Sequence, residues 1–321
     1  MLVRNITTMS GFLLMGFSDN HELQILHALL FLVTYLLGSA GNFIIITITT
    51  LDQQLQSPMY YFLKHLSLLD LSSLSVTVPQ YIDNSLAGSG YISYSQCMLQ
   101  VFFFTALAWS EMAIITVMSY DRYVAICLPL HYEVIMDPRK CMWSVAAVWL
   151  SGGISGTLYT TTTFSIRFCG TKIIHQFFCD VPQLLKLSCS NDYLVVVMGA
   201  SYFLSAMAFA CFIGIFLSYV HIFSTVVRMP SAEGRSKVFS TCLPHLFVVS
   251  LFLSTGSCAY LNPTSESPTA LDFLLSIFYT VLSPTLNPVI YSLRNESLKG
   301  AVRKLLLSEE FIGKKSFLFF C

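Results

Sequence analysis

Charge is scarce in this chain: Lys, Arg, Asp and Glu together make up 11% of its 321 residues, against roughly 25% in an ordinary soluble domain. None of the four occurs in 23–51, 141–166, 193–227, 238–265 or 273–293. Each gap is long enough for a membrane helix, which needs about 20 apolar residues to cross a hydrocarbon core. Stretches 58–82 and 97–120 are similar except for Lys64 and Asp70 in the first and Glu111 in the second. Seven such runs exclude a soluble helical core and predict spans near 24–50, 58–82, 97–122, 141–163, 193–227, 238–261 and 271–293. A formal net charge of zero removes any bulk attraction to nucleic acid. No His/Glu/Asp metal cluster and no nucleophile–base spacing occurs within the spans, which argues against a membrane enzyme. His65, His221 and His245 read as isolated interfacial or capping residues. No internal repeat is evident, and an odd number of spans does not divide into the equal halves of many transporters. Residues 1–22 lack a basic start followed by an apolar core, so the first helix is expected to serve as the insertion signal.

The few cations are unevenly placed. With the N-terminus outside, thirteen of them, among them Lys64, Arg122, Arg139, Lys140, Arg228, Arg235, Lys237 and Arg294, lie at the inner ends, and Arg4, Arg167, Lys172 and Lys186 lie outside. This is the positive-inside pattern. Asn5-Ile6-Thr7 is a glycosylation acceptor on the same outer side. The loop of about 164–192 carries Cys169, Cys179 and Cys189, and Cys97 heads the third span, so four of ten cysteines face the oxidising side. Four cysteines allow three pairings. Cys127, Cys141, Cys211, Cys242, Cys258 and Cys321 are expected to stay reduced. After the seventh span, Leu298, Ala301, Val302, Leu305 and Leu306 follow helical apolar spacing with Lys299, Arg303 and Lys304 opposite, which predicts a helix lying on the inner leaflet.

An ionised carboxylate inside a membrane span is costly and normally faces a polar interior. Asp70 and Glu111 therefore need partners, and Asn42, Ser283 and Asn287 lie at comparable depth. The two acids either share a sodium ion or a proton, or are hydrogen-bonded separately. Asp121-Arg122 falls where the third span meets the inner surface.

The surrounding stretch, "MSYDRYVAICLPLHY", closely resembles the signature of the olfactory receptors, a family of rhodopsin-like (class A) G-protein-coupled receptors. "GN" at 41–42, "PMYYFLKHLSLLDL" at 58–71, "KVFSTCLPHL" at 237–246 and "PTLNPVIYSLRN" at 284–295 follow in the family's order. The resemblance implies an all-α membrane protein: one receptor domain over 1–321, with an extracellular N-terminus (1–23), a seven-helix bundle (24–293) and a cytoplasmic tail (294–321) that includes a short amphipathic helix. It implies bridges from Cys97 to Cys179 and from Cys169 to Cys189. It makes Arg122 the residue released on activation to contact a heterotrimeric G protein, with Asp121 as its restraint at rest and Tyr123 beside it. Pro288 removes a helical hydrogen bond, so that helix 7 can bend and reposition Asn287 and Tyr291. Pro244 stands where many relatives have serine, and Leu253 replaces a frequent tyrosine, which affects transmission rather than membership.

Family geometry implies a ligand pocket between helices 3, 5, 6 and 7. Its expected lining is Phe104, Thr105, Ala108 and Trp109; Tyr202, Ser205 and Ala206; Leu253, Ser257 and Tyr260; and Ser276 and Thr280. None of these is charged, and Phe104 stands where amine receptors carry an aspartate. The implied guest is a small, neutral, mostly hydrophobic volatile, and the implied output is a stimulatory G protein of the olfactory type that raises cyclic AMP. No cofactor is implied beyond a candidate sodium ion at Asp70 and Glu111. The alternative is a non-olfactory seven-helix receptor for an endogenous lipid or metabolite. Either receptor would sit in the plasma membrane.

Overall fold

The computed structural model describes residues 11–15, 20–169, 172–189, 194–261 and 270–305. Asn5 and Cys321 lie outside these residues, and for Ser257, Cys258 and Tyr260 only the helical backbone is described.

Seven long helices form the bundle: α1 His21–Leu51, α2 Pro58–Ala87, α3 Tyr94–Cys127, α4 Pro138–Phe164, α5 Leu194–Val227, α6 Ala232–Leu261, and α7, which is α-helical over Ala270–Ile277 and Ser283–Arg294 around a π-helical turn, Phe278–Leu282. Residues 296–305 form a further helix, α8, in which Leu298 and Ala301 are buried and Lys299, Arg303 and Lys304 are exposed. Most spans run a turn or so beyond the charge gaps, because capping groups rather than charges end them. Asn20 accepts from the Glu22 N–H to start α1, Ser93 and Gln96 form a reciprocal capping box on α3, and Gly88 ends α2 in the left-handed conformation at φ 62°.

Among the described residues, six helices are long and apolar enough to cross a membrane. The long helix that falls short is α2, and its burial gives the reason. Ser67, Asp70, Ser73, Thr77, Asn84 and Ser85 are all buried in the bundle, so α2 spends its polar residues inward rather than on lipid. The other helices expose their largest apolar groups, such as Leu36 and Leu37 of α1, Trp143 of α4 and Phe203, Phe209 and Phe216 of α5. An apolar girdle of this extent is stable only against lipid. The protein is a multi-pass membrane protein.

α3 is the central helix, packed on α2, α4 and α5. Its approach to α4 is set by two glycines one turn apart. A Cβ on Gly152 would strike Ser110 Oγ and the Ala106 carbonyl, and one on Gly156 would come within 2.8 Å of Ala106 Cβ. Small residues at this spacing let helix backbones close up where no hydrophobic effect drives association.

The helical reading of the sequence missed a small sheet at one end. Gly11–Leu14 pairs antiparallel with Tyr91–Ser93 (Phe12 opposite Ile92) and parallel with Ile173–Ile174 (Leu13 opposite Ile173). With the short helix Val181–Lys186, the sheet forms a lid whose own core contains Phe12, Leu14, Ile92, Ile174, Val181 and Leu184. Two disulfides hold it. Cys97–Cys179 ties the lid to the head of α3 with Cα atoms 5.5 Å apart, and Cys169–Cys189 closes the lid on itself at 5.3 Å. Cys127, Cys141, Cys211 and Cys242 are free thiols.

Candidate functional site

Under the lid, an aromatic wall joins three elements. Phe104 of α3 lies 5.2 Å from Phe178 of the lid and 6.0 Å from Tyr279 in the π-turn of α7, measured between ring centroids. Phe177 packs on Phe178 at 4.9 Å. Beside this wall Gln176 Nε2 donates to Ser276 Oγ at 2.8 Å, and the Thr280 hydroxyl turns back to the Ser276 carbonyl. Gln100 fixes the lid's height: its Oε1 accepts from the Cys179 N–H at 2.8 Å and its Nε2 donates to the Val76 carbonyl at 3.1 Å. Phe104, Ser276 and Thr280 thus come together around the lid, with Ser276 and Thr280 buried; Thr105 is buried next to Phe104 in α3, and Ala108 and Trp109 are half-buried further along that helix.

Helix α5 differs from the expected lining. Val197, Ala200 and Leu204 are buried, whereas Tyr202 is 72% exposed and Ser205 and Ala206 are also exposed. Ser201 is bonded to Tyr159 of α4, on the packed face of the helix with Ala200 and Leu204. On α6, Leu253 is half-buried against the main core.

Asp180, next to the bridging Cys179, is the lid's one buried carboxyl among the described residues. Burial pushes its pKa up to about 7, opposed by the backbone N–H of Val181 and by the charge of Lys186.

At mid-depth the polar residues of α1, α2, α3 and α7 converge. Asn287 Nδ2 donates to both oxygens of Asp70, at 3.0 and 3.2 Å. Asn42 Nδ2 donates to the Gly38 and Pro284 carbonyls, each at 3.0 Å, and so ties α1 to α7. Asp70 is fully buried, and Glu111 is 4% exposed and within electrostatic range of it. Glu111 Oε1, Asn42 Oδ1, Asn287 Oδ1 and Ser283 Oγ are buried there without a hydrogen-bond partner. Two carboxylates and several neutral oxygens form a hard-oxygen donor set of the kind that suits a small cation or a shared proton. Among the described residues, no group of three His, Cys, Asp or Glu side chains exists that would suit a transition metal.

At the end away from the lid, the expected restraint takes another form. Among the described residues no ion pair joins Asp121 to Arg122. Instead Tyr132 donates its hydroxyl to Asp121 Oδ1 at 2.8 Å, and Asp121 is 2% exposed. Half-buried Arg122 still acts electrostatically on Asp121, and also on Tyr219, Cys242, His245 and Tyr291. Tyr123 rests against His221 at 5.7 Å. Pro288 is buried inside α7, near enough that a Cβ on Gly41 would lie 3.2 Å from its ring.

The histidines are not isolated. His245 is 1% exposed and shares a 2.6 Å hydrogen bond with the Tyr219 hydroxyl, and Trp149 Nε1 donates to His65 Nδ1 at 3.5 Å. Sequence reasoning missed Tyr132, the Tyr219–His245 pair and the lid residues Gln176, Phe177 and Phe178. One signal was available: an apolar Phe-Phe pair directly before a bridged cysteine is out of place in a solvated loop.

Comparison with known proteins agrees with this architecture. The olfactory receptor family model matches residues 31–309. Human olfactory receptor 14J1 is 64% identical over 311 residues, covering 97% of this chain and 97% of the relative. Human olfactory receptor 14A16 is 52% identical, covering 94% and 97%. Squid rhodopsin superposes with a TM-score of 0.70 over 89% of this chain and 86% of its own, at 17% identity, a likeness of fold. These relatives are receptors rather than enzymes, and with its lid, its polar centre and its "SYDRYVAIC" end in place, the chain belongs to the olfactory receptor family.

Proposed function

We propose that this receptor binds a small, neutral, mostly hydrophobic volatile beneath the lid and activates a stimulatory heterotrimeric G protein, raising cyclic AMP. The observation that carries the ligand class is the charge-free wall of Phe104, Phe178 and Tyr279, with Thr105, Ser276 and Thr280 as the nearby polar groups. Apolar burial at about 25 cal/mol per Å² supplies the affinity, and a single hydroxyl contact sets orientation. A protonated amine would lose its hydration with no carboxylate at Phe104 to replace it.

The receptor acts at the plasma membrane with its N-terminus and lid outside and with Asn5 as a glycosylation acceptor. Ligand binding biases a two-state equilibrium in which α7 bends at Pro288, Asn287 and Tyr291 shift, and Arg122 turns to the G protein while Asp121 stays held. The hard-oxygen cluster around Asp70 and Glu111 fits a sodium ion or a shared proton as a ligand of the resting arrangement.

The test is cyclic AMP in cells expressing the full chain, exposed to a broad odorant panel and normalised to surface protein. Neutral volatiles are expected to be the best agonists. Agonists whose potency follows their protonated fraction would overturn the ligand class, and a response carried only by another second messenger would overturn the coupling.

A further inference from the structure

Asn295 makes the corner at the end of the bundle away from the lid. Its backbone is extended, with φ −108° and ψ 108°, and it separates α7, which ends at Arg294, from α8. One side-chain oxygen holds the corner. Asn295 Oδ1 accepts from the Ser297 and Leu298 N–H groups at 3.0 and 3.2 Å, which caps α8, and the Asn295 carbonyl accepts from the Lys299 N–H at 2.9 Å. The same Oδ1 also accepts from the hydroxyl of Tyr60, at 3.2 Å. Tyr60 lies in the first turn of α2, is 8% exposed and belongs to the same apolar core as Tyr291 of α7 and Leu298 and Ala301 of α8.

Helix α2 is therefore tied to α7 and its extension at two heights. Asp70 takes two hydrogen bonds from Asn287, and Tyr60 holds Asn295, eight residues and about 12 Å further along at 1.5 Å per residue. Pro288, which removes a backbone hydrogen bond from α7, and Tyr291 fall between the two ties. A swing of this half of α7 about Pro288, away from α2, leaves the first tie in place and must break the second. The second is the one suited to give way. It is a single bond between neutral groups, Asn295 is half-buried, and α8 keeps its cap when the tyrosine lets go, because its two N–H groups stay on the oxygen.

We infer that Tyr60 is a positioning residue for signalling: through Asn295 its hydroxyl latches the end of α7 and α8 onto α2 in the resting arrangement, and its release frees them toward the G protein. The inference rests on the two-state reading of α7 and adds the contact that favours its resting side.

The test uses the purified full-length receptor in lipid nanodiscs, without ligand, carrying trifluoromethyl-phenylalanine in place of the exposed Arg303 of α8 and read by fluorine NMR. Tyr60→Phe removes the latch and leaves the cap. Asn295→Ser still caps α8 but is too short to reach the tyrosine hydroxyl, and so breaks the latch from its other side should Tyr60→Phe not fold. Both variants are expected to raise the population of a minor resonance about fivefold, the factor that a net bond of about 1 kcal/mol represents. Asn295→Asp keeps an acceptor oxygen for cap and latch and is expected to match the unaltered receptor. Ligand-free nucleotide exchange on a panel of purified heterotrimeric G proteins is expected to rise by a similar factor in the first two variants and to stay level in the third. Spectra of Tyr60→Phe and Asn295→Ser that match the unaltered receptor overturn the latch. A changed spectrum with flat exchange on every G protein overturns the signalling role. A rise confined to a G protein other than the stimulatory one supports the latch and overturns the proposed coupling instead. A second fluorine probe, in place of Val289 of α7, separates the latch from the bend: a shift at 303 with none at 289 supports the hold on α8 and overturns bending at Pro288.

Discussion

The two ends of this bundle are held together by different chemistry. At the lid end, covalent bonds and a sheet hold the parts: two disulfides, three short strands and an apolar core of their own. At the other end, single hydrogen bonds join the helices, Tyr132 to Asp121 and Tyr219 to His245, around a half-buried arginine. A disulfide between residues far apart in sequence contributes about 2–5 kcal/mol, and one hydrogen bond about 0.5–1.5 kcal/mol, or up to about 3 kcal/mol with a charged partner. The difference teaches how a receptor divides its work. The ligand end must keep a fixed shape, whereas the signalling end must have two arrangements close in energy, and weak, exchangeable contacts provide that.

The comparison breaks most sharply at the bridge. Cys97→Ser or Cys179→Ser is expected to remove most surface expression and all response, with a loss of about 2–5 kcal/mol; surface immunolabelling of the tagged chain measures it, and normal labelling of both variants would mean that the sheet alone holds the lid. A smaller effect is expected at the other end, in the opposite sense. Tyr132→Phe leaves the fold intact but removes the hydroxyl that holds Asp121, a contact worth about 1.5–3 kcal/mol, so ligand-free cyclic AMP is expected to rise several-fold. Arg122→Ala is expected to abolish the agonist response while surface expression is kept. Basal signalling that stays flat in Tyr132→Phe would show that Asp121 is held by the helix rather than by the tyrosine.

The smallest effect concerns pH. Asp180 has a folded pKa of about 7, above the roughly 3.9 of an unfolded aspartate. Between these values the folded lid binds the proton and the unfolded chain does not, so stability falls as pH rises from about 4 to 7 and is level above that. Melting of the purified receptor is expected to occur at a higher temperature at pH 5 than at pH 8, and Asp180→Asn is expected to remove that part of the slope. An unchanged slope in Asp180→Asn would place the titration elsewhere.

Much of the fold is legible in the sequence because lipid enforces a simple rule: charges leave the spans, and five charge-free gaps with two nearly charge-free stretches mark seven helices. The disulfide pairing follows from the family resemblance, and Asn287 is one of three polar residues whose depth makes them candidate partners of Asp70. Two things are not legible. The strands Gly11–Leu14 and Ile173–Ile174 are too short for any periodicity, and their pairing depends on where the cysteines fold the loop. The packed face of α5 is equally hidden, since that helix is apolar on every side: Tyr202 and Leu204 are equally plausible inward residues, and the structure buries Leu204. Asp121-Arg122 shows the same limit at closer range. Adjacent opposite charges suggest a pair, and a partner eleven positions on, Tyr132, bonds the acid while Arg122 acts on it by charge alone.

The central strand of the lid joins the start of the chain to a segment made much later. Leu13 and Leu14 pair in parallel with Ile173 and Ile174, and a parallel pairing cannot form as a local hairpin. During synthesis this strand therefore waits with an unpaired edge until the first four long helices have been completed and the loop after α4 has emerged. Edges that wait in this way invite pairing with the wrong chain. Keeping that one strand apart until its partner arrives is a demand on the cell's folding machinery set by the lid's topology rather than by the bundle's stability.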